Sequence, residues 1–505
     1  MRLERTLRGT NKMKVLLVQP LHNYEGGSRD PTFFPLGLGY LAKALIKKGH
    51  KVEVLDIWAH QWSQDDVLKQ LKKLDQDVIG ISALSTQYSY TKWLIAEMKK
   101  RFEGPLVVGN ALATLTPEVV LEHTEADICV IGEGEITLPN LVSNLGDLSK
   151  VKGLLYKQDG KVHHTEPQEY IKDLDTIEFP AWDLFPMDIY LKYCRVLGTD
   201  VKALNIVAGR GCPYHCRFCS KTFSGTRVRS VDNIITEIRE MLSKFDIGGI
   251  LFVDELVVLN RKRIMEFCDK VEPLHIKWNC QGRVNLVNKE ILQRMKESGC
   301  ETIGYGVESG SEKILKNMRK QITPEQSRKA ILDALDIGIW PFVQMMYGYL
   351  GEDEQTLKET TDFFKDIPFV GVVRLSPTTP LPGTELWDYC LEKGLIEDID
   401  AYLMGISAGY IPDADRPFVN LTEFSEQDFF KNLRRTEDAI FKNQVKNQPG
   451  SVISYFFMHP VSNLKFYLYK IQQHHKGYSP SEAVEKLMWI FKLMVSGPDK
   501  KPSEE

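Results

Sequence analysis

Apolar positions in the first 150 residues fall in short unbroken runs rather than in alternation. Runs at 15–19, 52–56, 77–82, 105–109 and 127–131 predict strands covered on both faces. Helical stretches such as 36–48 separate them, and that alternation predicts a parallel, doubly wound sheet. Such sheets bind ligands beyond the carboxyl ends of their strands. The candidate loops are therefore 20–27, 82–86, 109–114 and 132–135.

From residue 203 the same alternation resumes with a longer period. Strands are expected at 203–208, 249–253, 276–281, 302–307, 341–346 and 371–376, with helices at 231–244, 261–271, 289–298, 324–338 and 353–365. Six βα units predict a partial (β/α)6 barrel, whose chemistry belongs at the strand C-terminal ends. Between the two patterns, Asp159-Gly160 marks a hairpin, and Phe179-Pro-Ala-Trp-Asp-Leu-Phe-Pro186 reads as an extended linker. The chain thus reads as α/β: a tail at 1–12, a sheet domain at 13–150 and a connector at 151–202. A barrel at 203–385, a mainly helical region at 386–495 and a charged, disordered tail at 496–505 follow.

Composition narrows the picture by exclusion. The 505 residues hold 64 basic and 68 acidic side chains, a net charge of −4, which gives no support for a nucleic-acid-coating surface. Nine scattered cysteines argue for a reducing cytoplasm over a disulfide framework. The charged N-terminus does not read as a secretory signal, and no run approaches the roughly 18 apolar residues of a membrane span. Aromatic stretches at 453–460 and 466–470 read as a packed helical cap or as a peripheral membrane face for an apolar substrate.

The chemistry concentrates in Gly209-Arg-Gly-Cys-Pro-Tyr-His-Cys-Arg-Phe-Cys219. Cys212, Cys216 and Cys219 stand at C-x3-C-x2-C spacing and can hold three irons of a cubane, leaving the fourth open to a non-protein ligand. The alternative is zinc, with His215 completing a Cys3His set, but no second ligand pair accompanies it.

This motif resembles that of radical S-adenosylmethionine (SAM) enzymes. The resemblance implies a [4Fe-4S] cluster whose open iron binds SAM, cleaved by one electron to methionine and a 5′-deoxyadenosyl radical. It places Phe218 near the adenine. Further SAM contacts are implied at Asp254 and Glu255, where a helix N-cap is the alternative, and at Gln281 and Arg283, where Arg283 could instead anchor a neighbouring acid. Gly304-Tyr-Gly-Val-Glu-Ser-Gly310 resembles the Gly-x-Glu-Ser-Gly stretch of the B12-dependent members and nominates Glu308 and Ser309. Tyr347-Gly-Tyr-Leu-Gly-Glu352 nominates Gly348, with Leu350 where the family has proline.

The N-terminal loops resemble the flavodoxin-like B12-binding domain that precedes many such barrels. The resemblance implies cobalamin contacts at Gln19, at Ser82, Leu84 and Ser85, at Gly109, Asn110 and Ala111, and at Gly132, Glu133, Gly134 and Glu135. The D-x-H-x-x-G motif is absent and His22 has the wrong spacing, so cobalamin is expected base-off, without a histidine axial ligand. The implied function is a cobalamin-dependent radical SAM methyltransferase, methylating an unactivated carbon through the 5′-deoxyadenosyl radical and methylcobalamin. Its partners are a small-molecule or lipid-like substrate and an external electron donor of flavodoxin or ferredoxin type. A B12-binding radical SAM cyclase or rearrangement enzyme is the alternative, and a non-catalytic cobalamin or SAM sensor a second one. A methylthiotransferase is disfavoured, because the N-terminal domain offers only Cys129 for a further cluster.

Overall fold

The computed structural model describes residues 12–21, 30–368, 370–371, 373–408 and 418–447, with Ala408 and residues 445–447 described by backbone alone. His22, Gly26-Gly27, the aromatic stretches at 453–460 and 466–470 and the tail at 496–505 lie outside the described residues. The chain forms two compact units, Met1–Pro213 with Phe218–Val257 and Pro380–Tyr410, and Tyr214–Arg217 with Val258–Thr379 and Ile411–Glu505.

The first unit is built on a seven-stranded sheet. Its strands are β1 (Lys14–Gln19), β2 (Lys51–Asp56), β3 (Val78–Ser82), β4 (Leu106–Gly109), β5 (Ile128–Val130), β6 (Leu154–Gln158) and β7 (Lys161–His164). Their order is β2-β1-β3-β4-β5-β6-β7, the first five parallel. The chain reverses its winding between β1 and β3, which opens a crevice at the carboxyl ends of those strands. Val15 lies opposite both Val52 and Val78, all buried, as the unbroken apolar runs require.

The hairpin anticipated around Asp159-Gly160 is more than a connector. β6 pairs antiparallel with β5 and β7 with β6, extending the sheet. Its register sets Leu155 opposite Cys129, so the apolar half of β6 completes the core beside the short β5.

The same unit carries β8 (Ala203–Ile206), β9 (Gly209–Arg210), β10 (Arg227–Val228) and β11 (Gly249–Phe252). β8 and β11 run parallel, joined through the helix Val231–Lys244, whose start is capped by the Ser230 side chain. The helix Ile399–Ala408 also belongs here. Its Asp400 accepts hydrogen bonds from Lys92 Nζ at 2.8 Å and from the Tyr88 hydroxyl on the helix Tyr88–Lys99.

The second unit holds β12 (Lys277–Gly282), β13 (Cys300–Glu308), β14 (Trp340–Tyr347) and β15 (Leu375–Pro377), all parallel. The intervening helices Lys289–Glu297, Pro324–Ile337 and Glu354–Phe363 are capped by Asn288, Thr323 and Asp353. Five of the six strands expected from residue 203 onward recur within about two residues of their expected ends. The last, expected at 371–376, forms only at Leu375–Pro377. The helical C-terminal region is divided: Ile399–Ala408 packs in the first unit, while Glu426–Asn447 packs along Glu354–Phe363 in the second. No helix among the described residues is long and apolar enough to cross a membrane.

Gly299 makes the turn into β13 with φ of +100°, and a Cβ there would sit 2.1 Å from the Ile276 carbonyl oxygen. Gly299→Ala is expected to destabilise the protein by about 1–3 kcal/mol, read as a lower urea midpoint.

Candidate functional site

The cysteine loop begins at a two-stranded ribbon, β9 paired antiparallel with β10, so that Arg210 faces Arg227. Gly211 takes φ of +81°, and a Cβ on it would lie 2.2 Å from the Gly225 carbonyl oxygen; only glycine closes this loop. Cys212, Cys216 and Cys219 are half-buried, whereas the other six cysteines are buried. Burial pushes the thiols of Cys268 and Cys390 up to about 11, which disfavours the thiolate that a metal needs. Phe218 is half-buried and His215 exposed. Among the described residues, no three Cys, His, Asp or Glu side chains converge as a single bound ion requires.

A cavity of about 270 Å3 opens at the carboxyl ends of the strands of the first unit. Ser82, Gly109, Asn110 and the loop Gly132-Glu-Gly-Glu135 line one side of it. Val207, Gly209, Arg210, Phe223, Val253 and Glu255 line another, bringing the exits of β8 and β11 to the same space. Gln19, Leu84, Ser85 and Ala111 do not line it. Gln19 donates to the Pro20 carbonyl at 3.4 Å, and the Leu84 N–H donates to Gln87, so these residues brace the loops.

The helix Leu36–Lys47 supplies a wall that motif reading missed, through Leu36, Gly37, Leu38, Tyr40 and Leu41. The Tyr40 hydroxyl is buried without a hydrogen-bond partner among the described residues. A Cβ added at Gly37 or Gly109 would meet nothing within 4 Å. The helix's Leu-Gly-Leu-Gly-Tyr start was the available signal, because glycines inside a helix usually mark a close approach.

Glu133 binds the cavity wall together. Its carboxylate accepts from Arg210 at 2.6 Å, from Arg227 at 2.9 Å and from the Ile171 N–H at 2.6 Å, while Glu135 pairs with Arg210 at 2.5 Å. The Arg227 guanidinium also stacks 4.8 Å from the Tyr170 ring centre. Asp254, at the exit of β11, receives the Ala208 N–H on both oxygens, at 2.8 and 2.9 Å. Burial pushes its carboxyl up to about 7. Its neighbour Glu255 is exposed and lines the cavity.

In the second unit, Arg283 is buried with its guanidinium 3.7 Å from the Tyr214 ring centre. It donates to the Lys320 carbonyl, and its Nε has no partner among the described residues. Asn279 Oδ1, on the same strand, is likewise buried and unpartnered. Gln281 lies against β13, where a Cβ on Gly304 would come within 2.3 Å of its Oε1. Glu308 adopts φ of +67° and accepts from Lys320 Nζ at 2.7 Å. Lys320 was missed because a lysine outside any motif reads as surface, yet here it is buried. Ser309 accepts from the Ser311 N–H at 3.1 Å and meets the Thr360 hydroxyl at 3.3 Å. The Gly348 N–H donates to Glu352 at 2.5 Å, and burial pushes the Glu352 carboxyl up to about 7.

A radical SAM superfamily model matches residues 206–364, and a B12 binding domain model matches residues 26–142. An uncharacterized methyltransferase of Pyrococcus horikoshii is 34% identical over 399 residues, which cover 76% of this chain and 84% of that protein. The chain belongs to the radical SAM family whose members carry a B12-binding domain. An anaerobic magnesium-protoporphyrin IX monomethyl ester cyclase of Rubrivivax gelatinosus is 28% identical, over 77% of this chain and 72% of that one. The fold is shared with the radical SAM methyltransferase TsrM of Kitasatospora setae, at a TM-score of 0.62 and 16% identity over 76% of this chain and 78% of that one.

The residues fit the cofactors of a B12-binding radical SAM enzyme. Three half-buried cysteines on a glycine-turned loop suit a cubane, whose corners are spread more widely than the ligands of one ion. Open space beside Gly37 and Gly109, with an orphaned Tyr40 hydroxyl, suits a bulky ligand rich in amides. Arg283 Nε and Asn279 Oδ1 offer one donor and one acceptor, which the carboxylate and ammonium of an amino acid require.

The raised carboxyls of Asp254 and Glu352 make stability depend on pH. Each favours the fold while protonated, fully below its ordinary value of 3.8 or 4.5, and that favour is lost as pH rises through about 7. The urea midpoint is therefore expected to fall between pH 5 and pH 8, and Asp254→Asn to flatten the decline.

Proposed function

We propose that the chain is a cobalamin-dependent radical SAM methyltransferase acting on an unactivated carbon. One observation carries the reading: the strand-exit loops of the B12-binding sheet and the first two barrel strands line the same 270 Å3 cavity. When bound, the cluster with SAM supplies a hydrogen-abstracting carbon radical, and cobalamin supplies a transferable methyl group.

The residues of the chain hold and orient. Ser82, Gly109, Asn110 and the loop 132–135 would receive cobalamin, with Gln19 and Leu84 bracing the loops and Ser85 and Ala111 beside them. Leu36, Leu38 and Leu41 would add an apolar wall that keeps water out, and the missing D-x-H-x-x-G motif supports a base-off form without a histidine ligand. Cys212, Cys216 and Cys219 would hold the cluster. Phe218, Asp254, Glu255, Gln281, Arg283, Glu308, Ser309 and Gly348 would position SAM, with Arg283 and Asn279 at its amino-acid end. Proximity is the main contribution of the protein, since it turns encounters between separate reactants into a step within one complex. The substrate is small or lipid-like, and an external one-electron donor is needed.

Anaerobic reconstitution with iron, sulfide and hydroxocobalamin tests this. The expected outcome is reductive formation of 5′-deoxyadenosine together with label from methyl-labelled SAM in a carbon-methylated product. Cleavage with a ring-closed, unlabelled product would favour the cyclase named among the relatives. Cys216→Ala should lose 5′-deoxyadenosine formation to background. Gly109→Leu should weaken cobalamin binding roughly tenfold or more while keeping its iron, because steric conflicts of about 1–3 kcal/mol are typical of overfilled sites.

A further inference from the structure

The loop that leaves Cys219 brings an aromatic ring into the cavity of the first unit. Residues 220–226 run from the last cysteine to the ribbon strand β10, and this run is tied at both ends. The Ser220 hydroxyl donates to the Pro382 carbonyl at 3.1 Å, and the Gly225 carbonyl packs against Gly211 so closely that no Cβ fits there. Between those anchors Phe223 lines the cavity, on the side of Val207, Val253 and Arg210. Three contacts place its ring. The guanidinium groups of Arg210 and Arg227 each lie 5.7 Å from the ring centre, and the Tyr170 ring meets it edge-on at 6.0 Å. Both guanidinium groups are themselves fixed by Glu133, which limits the freedom of the ring to swing away. Two aromatic side chains line the cavity: Tyr40 is buried, whereas Phe223 keeps part of its surface open.

Resting on the function proposed above, we infer that Phe223 is a specificity-determining residue, which covers the open face of the cobalt and sets the size of what reaches it. The strand-exit loops at Ser82, Gly109 and 132–135 would receive cobalamin from the sheet side of the cavity. A ring on the barrel side then stands where the methyl group must leave and the substrate must arrive. Val207, Val253 and the ring itself offer apolar surface there, and Val253 is 41% exposed. The apolar part of a substrate gains by covering that surface. The same covering keeps water and competing ligands from the metal.

The test follows ligand exchange at cobalt(III) in the reconstituted full chain loaded with hydroxocobalamin, read from its visible spectrum. Azide serves as the small probe and imidazole as the larger one, and each displaces the bound water or hydroxide without electron transfer. The unmodified protein should take up azide and discriminate against imidazole. Phe223→Ala should raise the imidazole rate roughly tenfold or more, and the azide rate by less, because a closed site excludes competing ligands. Phe223→Leu, which keeps an apolar side chain in place, should fall between. Cobalamin stoichiometry and iron content should match the unmodified protein; if Phe223→Ala loses either, Phe223→Leu carries the test. Equal acceleration of both probes, or no change in either, overturns the size filter. Loss of cobalamin or iron from Phe223→Leu assigns the ring to the fold alone and overturns it as well. An unmodified protein that takes up no cobalamin overturns the cobalamin-dependent reading instead.

Discussion

One carboxylate held by two guanidinium groups fixes the geometry on which the rest of the site depends. Glu133 leaves the B12-binding sheet after β5 and meets Arg210 and Arg227, the paired residues of the ribbon that opens the cysteine loop. Its side chain is only 2% exposed. Breaking a buried pair by removing one partner typically costs about 3–5 kcal/mol, because the remaining charge is left uncompensated. The cavity wall is thus a single hydrogen-bonded piece, although its two halves come from chain segments some 75 residues apart.

The remaining polar groups divide by role. Some, such as Asp254 with the Ala208 N–H and Ser309 with Ser311 and Thr360, are held in place at the strand exits by bonds within the chain. Tyr40, which lines the cavity of the first unit, and Asn279 and Arg283 Nε in the second unit have buried polar atoms without partners among the described residues. Buried polar atoms are rarely orphaned without a reason, and a ligand that completes them is one.

The fold was largely legible because its signal is redundant. Buried parallel strands need unbroken apolar runs, and helices need caps, so Val15–Gln19 and Asp353 announce their elements without tertiary information. The cysteine trio was legible for the same reason, since its spacing is local. Tyr40 and Lys320 were not, because each acquires meaning only through burial next to groups distant in sequence. The antiparallel β6 and the separation of Ile399–Ala408 from Glu426–Asn447 were hidden likewise. An apolar helix face does not say which surface will cover it.

The central proposal is that one chain holds cobalamin and a cluster close enough to act together, the exits of the B12-binding sheet and of β8 and β11 lining one cavity. Electron paramagnetic resonance of the reconstituted protein tests it most directly, with cobalt in its paramagnetic state and the cluster first oxidised, then reduced. Binding of both at close range predicts that the cobalt signal broadens and relaxes faster once the cluster becomes paramagnetic. A cobalt signal identical in both states would place the two cofactors apart and contradict the account.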